Sequence, residues 1–199
     1  MKSVLISIQP KWVEKIAKGK KTIEVLKTRP KIETPFKCYI YCTKHKERLI
    51  EVVKKGDDMG WGCIYKENTP MFIKTFADTA LLGTNMDGKV IGEFVCDKII
   101  GYYPYGLRGF DLSKETLKAM CLSNKDLNEY GKLDRVYGWH ISDLKIYDKP
   151  KELSEFRKPC DRFLDCITCK RLVRNDFLSC DNIITRPPQS WQYVESLGE

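Results

Sequence analysis

The sequence predicts a mixed α+β fold: a small mixed β-barrel with short helices at its ends and a cysteine-rich C-terminal extension. Three observations point there. Short apolar runs rich in β-branched and aromatic residues recur, separated by Gly, Pro and Asn turns. They follow one another as strand, helix, three strands, two helices and strand, which is not the alternation of a doubly wound sheet. With 199 residues and 42% apolar content, the chain suits one domain with an appendage.

The elements follow in order. "SVLISI" is short and β-branched, and reads as a buried strand. "PKWVEKIAKG" reads as a helix over 10–18, with Pro10 at its first position and Gly19 at its left-handed stop. Trp12, Val13 and Ile16 form its apolar face, and Lys11, Lys15 and Lys18 its wet one. "TIEVLKT" is a strand ended by Arg29-Pro30. "FKCYIYCT" is another, with Phe36, Cys38, Ile40 and Cys42 on one face and Tyr39 and Tyr41 on the other. "KHKERLIEVVKKGD" reads as a helix, or a helix and turn, opening an insertion at about 44–88. "KVIGEFVCDKIIGYY" returns to strand with Gly92 at a bulge. "SKETLKAMCLS" is a helix capped by Ser113, and "SNKDLNEYG" a second one stopped by Gly131. "RVYGWHISDLKIYD" is a long strand bent near Ser142-Asp143. The expected division is a barrel domain at 1–158 carrying the insertion, and a cysteine-rich extension at 159–199.

Charge is placed unevenly. Residues 1–55 hold fifteen Lys/Arg against five Asp/Glu, and the remainder twenty against twenty-two. A basic sector of that kind suits phosphate-bearing partners or a solvated surface. The run "VLISI" is too short for a secretory leader, and no apolar stretch reaches membrane-spanning length. The expectation is a cytoplasmic protein without a membrane partner, its nine cysteines present as thiols.

The stretch "PKWVEKIAKGKKTIE", placed just after the first strand, resembles the ASCH family, which has the fold of the PUA domains of RNA-modifying enzymes. The family pattern is a helix followed by Gly-x-Lys-x-x-Glu-x-Arg. It is matched at Gly19, Lys21 and Glu24 and departed from at Leu26. "GKVIGEFVCDKI", "YGWHISDLKIYDKPKELSEF" and "RPPQSWQYVE" are similar to later segments of phage- and prophage-associated bacterial members. The resemblance covers about 1–43, 88–158 and 184–195. It implies a PUA-like barrel and a groove holding RNA or a nucleotide-like ligand.

Within that implied groove, Lys21 would meet a phosphate or carbonyl, and Glu24 an exocyclic amine. In a strict strand the two would point to opposite faces, so they converge only if Lys21 still belongs to the turn. Lys21 is expected at an exposed position. Lys11 and Trp12 on the preceding helix, Trp139 as a stacking ring and Arg186 before two prolines complete the expected binding set. Trp12, Tyr39, Tyr41, Tyr103, Tyr105, Tyr137, Trp139 and Trp191 exceed the needs of one small core.

The alternative is a small hydrolase, a nuclease or a modified-cytidine amidohydrolase, acting in the same groove through Lys21, Glu24 and His140. Relatives include an N4-acetylcytidine hydrolase with a threonine nucleophile at the position that Glu24 occupies here. The nearest hydroxyl in this chain is Thr22. Cys160, Cys166, Cys169 and Cys180, spaced C-x5-C-x2-C-x10-C, suit a structural zinc site, and equally a helix burying its thiols.

Overall fold

The computed structural model describes residues 2–44, 47–52, 62–67, 73–74, 80–81, 84–160 and 182–197, with 47–85 as backbone alone. The elements in chain order begin with β1 (Lys2–Ile8), α1 (Pro10–Ala17), β2 (Ile23–Leu26) and β3 (Phe36–Cys42). Next come β4 (Glu47–Val52), β5 (Gly62–Glu67), β6 (Ile73–Lys74), β7 (Ala80–Leu81) and β8 (Thr84–Asn85). Then β9 (Val90–Cys96), β10 (Ile99–Tyr102), α2 (Lys114–Met120), α3 (Asn124–Gly131), β11 (Val136–His140), β12 (Ser142–Lys151) and β13 (Trp191–Glu195) complete them.

Eight strands make two sheets, one ordered β12-β9-β3-β1-β13 and the other β10-β11-β2. β1 and β3 are parallel and the other pairs in these sheets are antiparallel. One long bent hairpin belongs to both sheets. β9 continues past Asp97-Lys98 into β10, and β11 continues past Ile141 into β12. The bend at Asp143 takes a left-handed backbone, φ 47°. Hydrogen bonds from His140 N to Lys98 O and from Ile141 N to Thr22 O, 2.9 Å each, carry the ladder round the corner.

The expected closed barrel is not formed among the described residues. β2 and β13 each stay an edge, and side chains bridge the seam between them. Trp191 Nε1 donates to Thr28 Oγ1 at 2.9 Å, and the Lys31 backbone N–H to the Tyr193 hydroxyl at 2.7 Å. β2 has only four residues before the chain leaves toward Pro30, too few to run a ladder along β13.

The alternation in β3 sorts its side chains as the sequence predicts. Phe36, Cys38, Ile40 and Cys42 enter the main core with Val4, Ile6, Phe94 and Trp139. Tyr39 and Tyr41 enter a second core with Leu5, Phe156 and Val194. A third joins α2 and α3 to the smaller sheet through Val25, Met120, Leu127 and Val136. Burial pushes the Cys38 thiol well above its ordinary value and the Cys96 thiol up to about 12, so both stay neutral packing groups.

The cap expected at Ser113 is present, and α3 has one that the sequence reading did not name. Ser113 accepts from Thr116 N, and Ser123 forms a capping box with Asp126. The left-handed stop of α3 is Lys132; Gly131 is its last helical residue. The helix expected in "KHKERLIEVVKKGD" is corrected to a strand over Glu47–Val52. β4 pairs with β5 from Glu47↔Glu67 to Val52↔Gly62, and that pairing overrides the local helical pattern. β4, β5 and β8 form a separate sheet whose backbone runs beside α1. No helix among the described residues is long and apolar enough to cross a membrane.

Gly92 stands where β9 shifts register against β3, and the Lys145 carbonyl of β12 closes over it. A Cβ there would lie 2.5 Å from that backbone oxygen. Gly92→Ala is therefore expected to lower stability by about 1–3 kcal/mol in denaturant unfolding. An unchanged midpoint would mean that β12 can retreat freely.

Candidate ligand pocket

α1 runs eight residues and ends against a left-handed Gly19, φ 66°. The turn folds back on the helix, with Lys20 N and Lys21 N both donating to Lys15 O. Lys21 thus lies before β2, still in the turn, which is the condition under which it can converge with Glu24. It does converge. The Lys21 ammonium stands 3.6 Å from Glu24 Oε2, an ion pair longer than a hydrogen bond.

The expected exposed position of Lys21 is corrected: the residue is 2% exposed. Its Nζ donates to the Met120 carbonyl at 2.6 Å, at the C-terminal end of α2, where helix carbonyls lack intrahelical partners. Glu24 is 8% exposed, and its Oε2 accepts no hydrogen bond among the described residues. Desolvation raises the Glu24 carboxyl above its ordinary value, and the Lys21 charge opposes that rise.

The pair opens into a pocket of about 820 Å³. α1 contributes Lys11 and Trp12, α3 contributes Asp126, Glu129 and Tyr130, and the β13 approach contributes Gln189 and Ser190. The ammonium groups of Lys11, Lys15 and Lys21 surround the Trp12 ring at 4.8, 4.9 and 5.0 Å from its centroid. One side of the pocket is therefore cationic and aromatic, and the other is acidic.

The remaining expected residues stand elsewhere. Trp139 is corrected as a stacking ring. It is fully buried, edge-on to Phe36 at 5.6 Å and tilted against Trp191 at 5.9 Å, so neither face is free for a base. It belongs to the inward row of β11, paired across from Glu24. Arg186 is exposed and outside the pocket lining; the same loop reaches it three residues later, at Gln189. His140 is also outside the lining, with Nδ1 2.6 Å from Asp97 Oδ1 at the sheet corner. Thr22 is not a lining residue either, its backbone tied to Ala119 and Ile141. The Ser7 hydroxyl, which does line the pocket, donates to Pro188 O at 2.7 Å.

Cys160 is half-buried, while Cys166, Cys169, Cys180 and His45 lie outside the described residues. Among the described residues no three His, Cys, Asp or Glu side chains gather as metal ligands. Sequence reasoning missed the α3 wall. "SNKDLNEYG" signals a helix, but nothing local says that its Asp126, Glu129 and Tyr130 meet α1.

No protein-family model matches the chain, and no curated protein does. Among solved structures it is similar to a serine-to-alanine mutant of the ASCH protein of Zymomonas mobilis, at 14% identity and a TM-score of 0.50. That match covers 97% of this chain and 88% of the other. The ASCH protein of the same organism matches at 15% identity and a TM-score of 0.49, covering 97% and 87%. The likeness to the mutant structure is one of fold, and it is the fold that the helix–turn–strand motif implies.

A carboxyl raised in the folded state holds its proton more tightly folded than unfolded. Its contribution then favours folding below the ordinary value of 4.5 and is lost as pH climbs through the folded value. Glu24→Gln should flatten this part of the stability–pH curve. Denaturant unfolding of parent and variant from about pH 4 to about pH 8 checks it, with the parent losing stability relative to the variant as pH rises. A pH-independent difference would show the carboxyl to be unperturbed.

Proposed function

We propose that this chain is an RNA- or nucleotide-binding protein, and that the Lys21–Glu24 pocket receives a base with its phosphate. The observation that carries the reading is the buried Glu24 carboxylate, with an oxygen that accepts no hydrogen bond among the described residues, beside a lysine in the lining of an open pocket. Buried polar groups are seldom left without partners, and a base amino group is the kind of donor a carboxylate accepts from. The neighbouring ammonium suits a ring nitrogen or carbonyl. Such an acceptor–donor pair fits the amino-carbonyl edge of a cytosine-type base. Lys11 and Lys15 around Trp12 supply charge for the phosphate and a ring for stacking. The ASCH fold supports the same class of ligand by analogy of fold. The hydrolase alternative draws less support, since neither His140 nor Thr22 lines the pocket.

The test is titration of cytidine and uridine monophosphates, and of short RNAs, at two salt concentrations. Lys11→Ala should weaken all of them similarly and reduce the salt slope by about one. Glu24→Gln should shift the preference between cytosine and uracil more than the overall affinity. Lys21→Ala is a poor probe, because breaking a buried pair costs about 3–5 kcal/mol of stability. Parent-like binding by both Lys11→Ala and Glu24→Gln would place the ligand elsewhere. A structural zinc on Cys160, Cys166, Cys169 and Cys180 is part of the same proposal. Purified protein should then carry about one equivalent, removable by a chelator while the sheets persist.

A further inference from the structure

Beyond the pocket, the smaller sheet carries a row of cations and rings that the nucleotide reading leaves unused. Gly101, Tyr137 and Leu26 stand in register across β10, β11 and β2, and Leu26 lines the pocket. Residues opposite one another in antiparallel strands share a face, so Tyr137 shares the row of Leu26, and it is half-buried against the main core. The Arg135 guanidinium is 4.9 Å from the Tyr137 ring centroid and 5.5 Å from that of Tyr103. Its Nη1 donates to the Tyr103 hydroxyl at 3.2 Å. Asp134 is the adjacent acid, and its carboxylate accepts from Arg135 N.

From Tyr103 the chain enters a loop whose apolar side chains face water. Tyr103 is 61% exposed, Tyr105 70% and Leu107 94%. The loop is nonetheless tied down. Tyr105 N donates to Gly109 O at 2.7 Å, and Arg108 N to Tyr105 O at 3.1 Å. Gly106 and Gly109 take positive φ, and a side chain at Gly109 would collide with Asn128, which accepts from Phe110 N. A loop braced in this way holds its rings in place before any ligand arrives, which lowers the ordering cost of binding. Rings interleaved with Arg108 and Arg135 match a polyanion that carries flat bases.

We infer that Tyr103, Tyr105 and Arg135, with Tyr137 as the ring that backs Arg135, form a second stacking surface for a single-stranded nucleic acid that also places one nucleotide in the Lys21–Glu24 pocket. The inference rests on the nucleotide reading of that pocket and extends it from one base to a strand. β10 and β2 flank β11 at about 5 Å each, so the strand would cross about 10 Å of sheet between the two.

The experiment compares a labelled single-stranded RNA of roughly ten nucleotides with cytidine monophosphate, on the full chain. Tyr103→Ala should weaken the RNA roughly five- to a hundredfold and leave the mononucleotide unchanged. Tyr103→Phe should retain most of the RNA affinity, and Arg135→Ala should lower the salt slope by about one. Tyr103 is exposed, so its variants should share the parent's unfolding midpoint. Parent-like RNA affinity in Tyr103→Ala overturns the inference, and the pocket reading survives it. Parent protein that binds neither probe overturns both. If light scattering finds self-association that Leu107→Ser abolishes, with RNA binding untouched, the loop is a protein interface and the inference fails.

Discussion

Moving a carboxylate and an ammonium out of water together is costly unless each is held where it offsets the other. Glu24 and Lys21 sit under that constraint, and much of the local architecture meets it. α1 must stop at Gly19 so that Lys21 comes round before the strand starts. α2 must end where Met120 presents its carbonyl to the ammonium, at the helix end whose dipole favours a cation. Cys121 then turns left-handed and sends the chain toward α3, whose residues form the far wall of the pocket. A three-residue interval in sequence is thus supported by elements a hundred residues away. Among the described residues the pair is under-satisfied on the Glu24 side, and both residues line the pocket.

The bent hairpin is the second organising device. By running β9 into β10 and β11 into β12, the chain curls one set of strands into two sheets without a dedicated crossover. The corner places Trp139 on the inside, where its size suits the space between Phe36 and Trp191. It places His140 and Asp97 on the outside, half in water, where a pair so exposed contributes little to stability.

Local pattern revealed the local parts of this structure. Proline and glycine bracketed α1, Ser113 marked the start of α2, and alternation separated the two faces of β3. The convergence of Lys21 and Glu24 was legible as a condition, because the turn residue count could be read. What escaped was set by distant pairing. β4 carries a pattern compatible with a helix, and only β5 and β8 beside it decide otherwise. Trp139 reads as a base platform until β11 is known to turn it inward. Arg186 and Gln189 share one proline-rich loop, and the backbone path selects the second for the pocket.

The placement of β1 bears on how the molecule is made. Its ladder runs to β3 on one side and to β13 on the other, pairing Lys2 with Glu195. Val4, Leu5 and Ile6 bury both faces of that strand. During synthesis β3 soon follows β1, but the second neighbour of β1 emerges only about 180 residues after it. Until then an apolar strand keeps one edge bare, a template for unwanted pairing. Contacts this distant in sequence slow folding, because the intervening loop must close before they return any energy. Among the ladders of this sheet, the one between β1 and β13 is therefore the last to become available, and it is the one that covers the bare edge of β1.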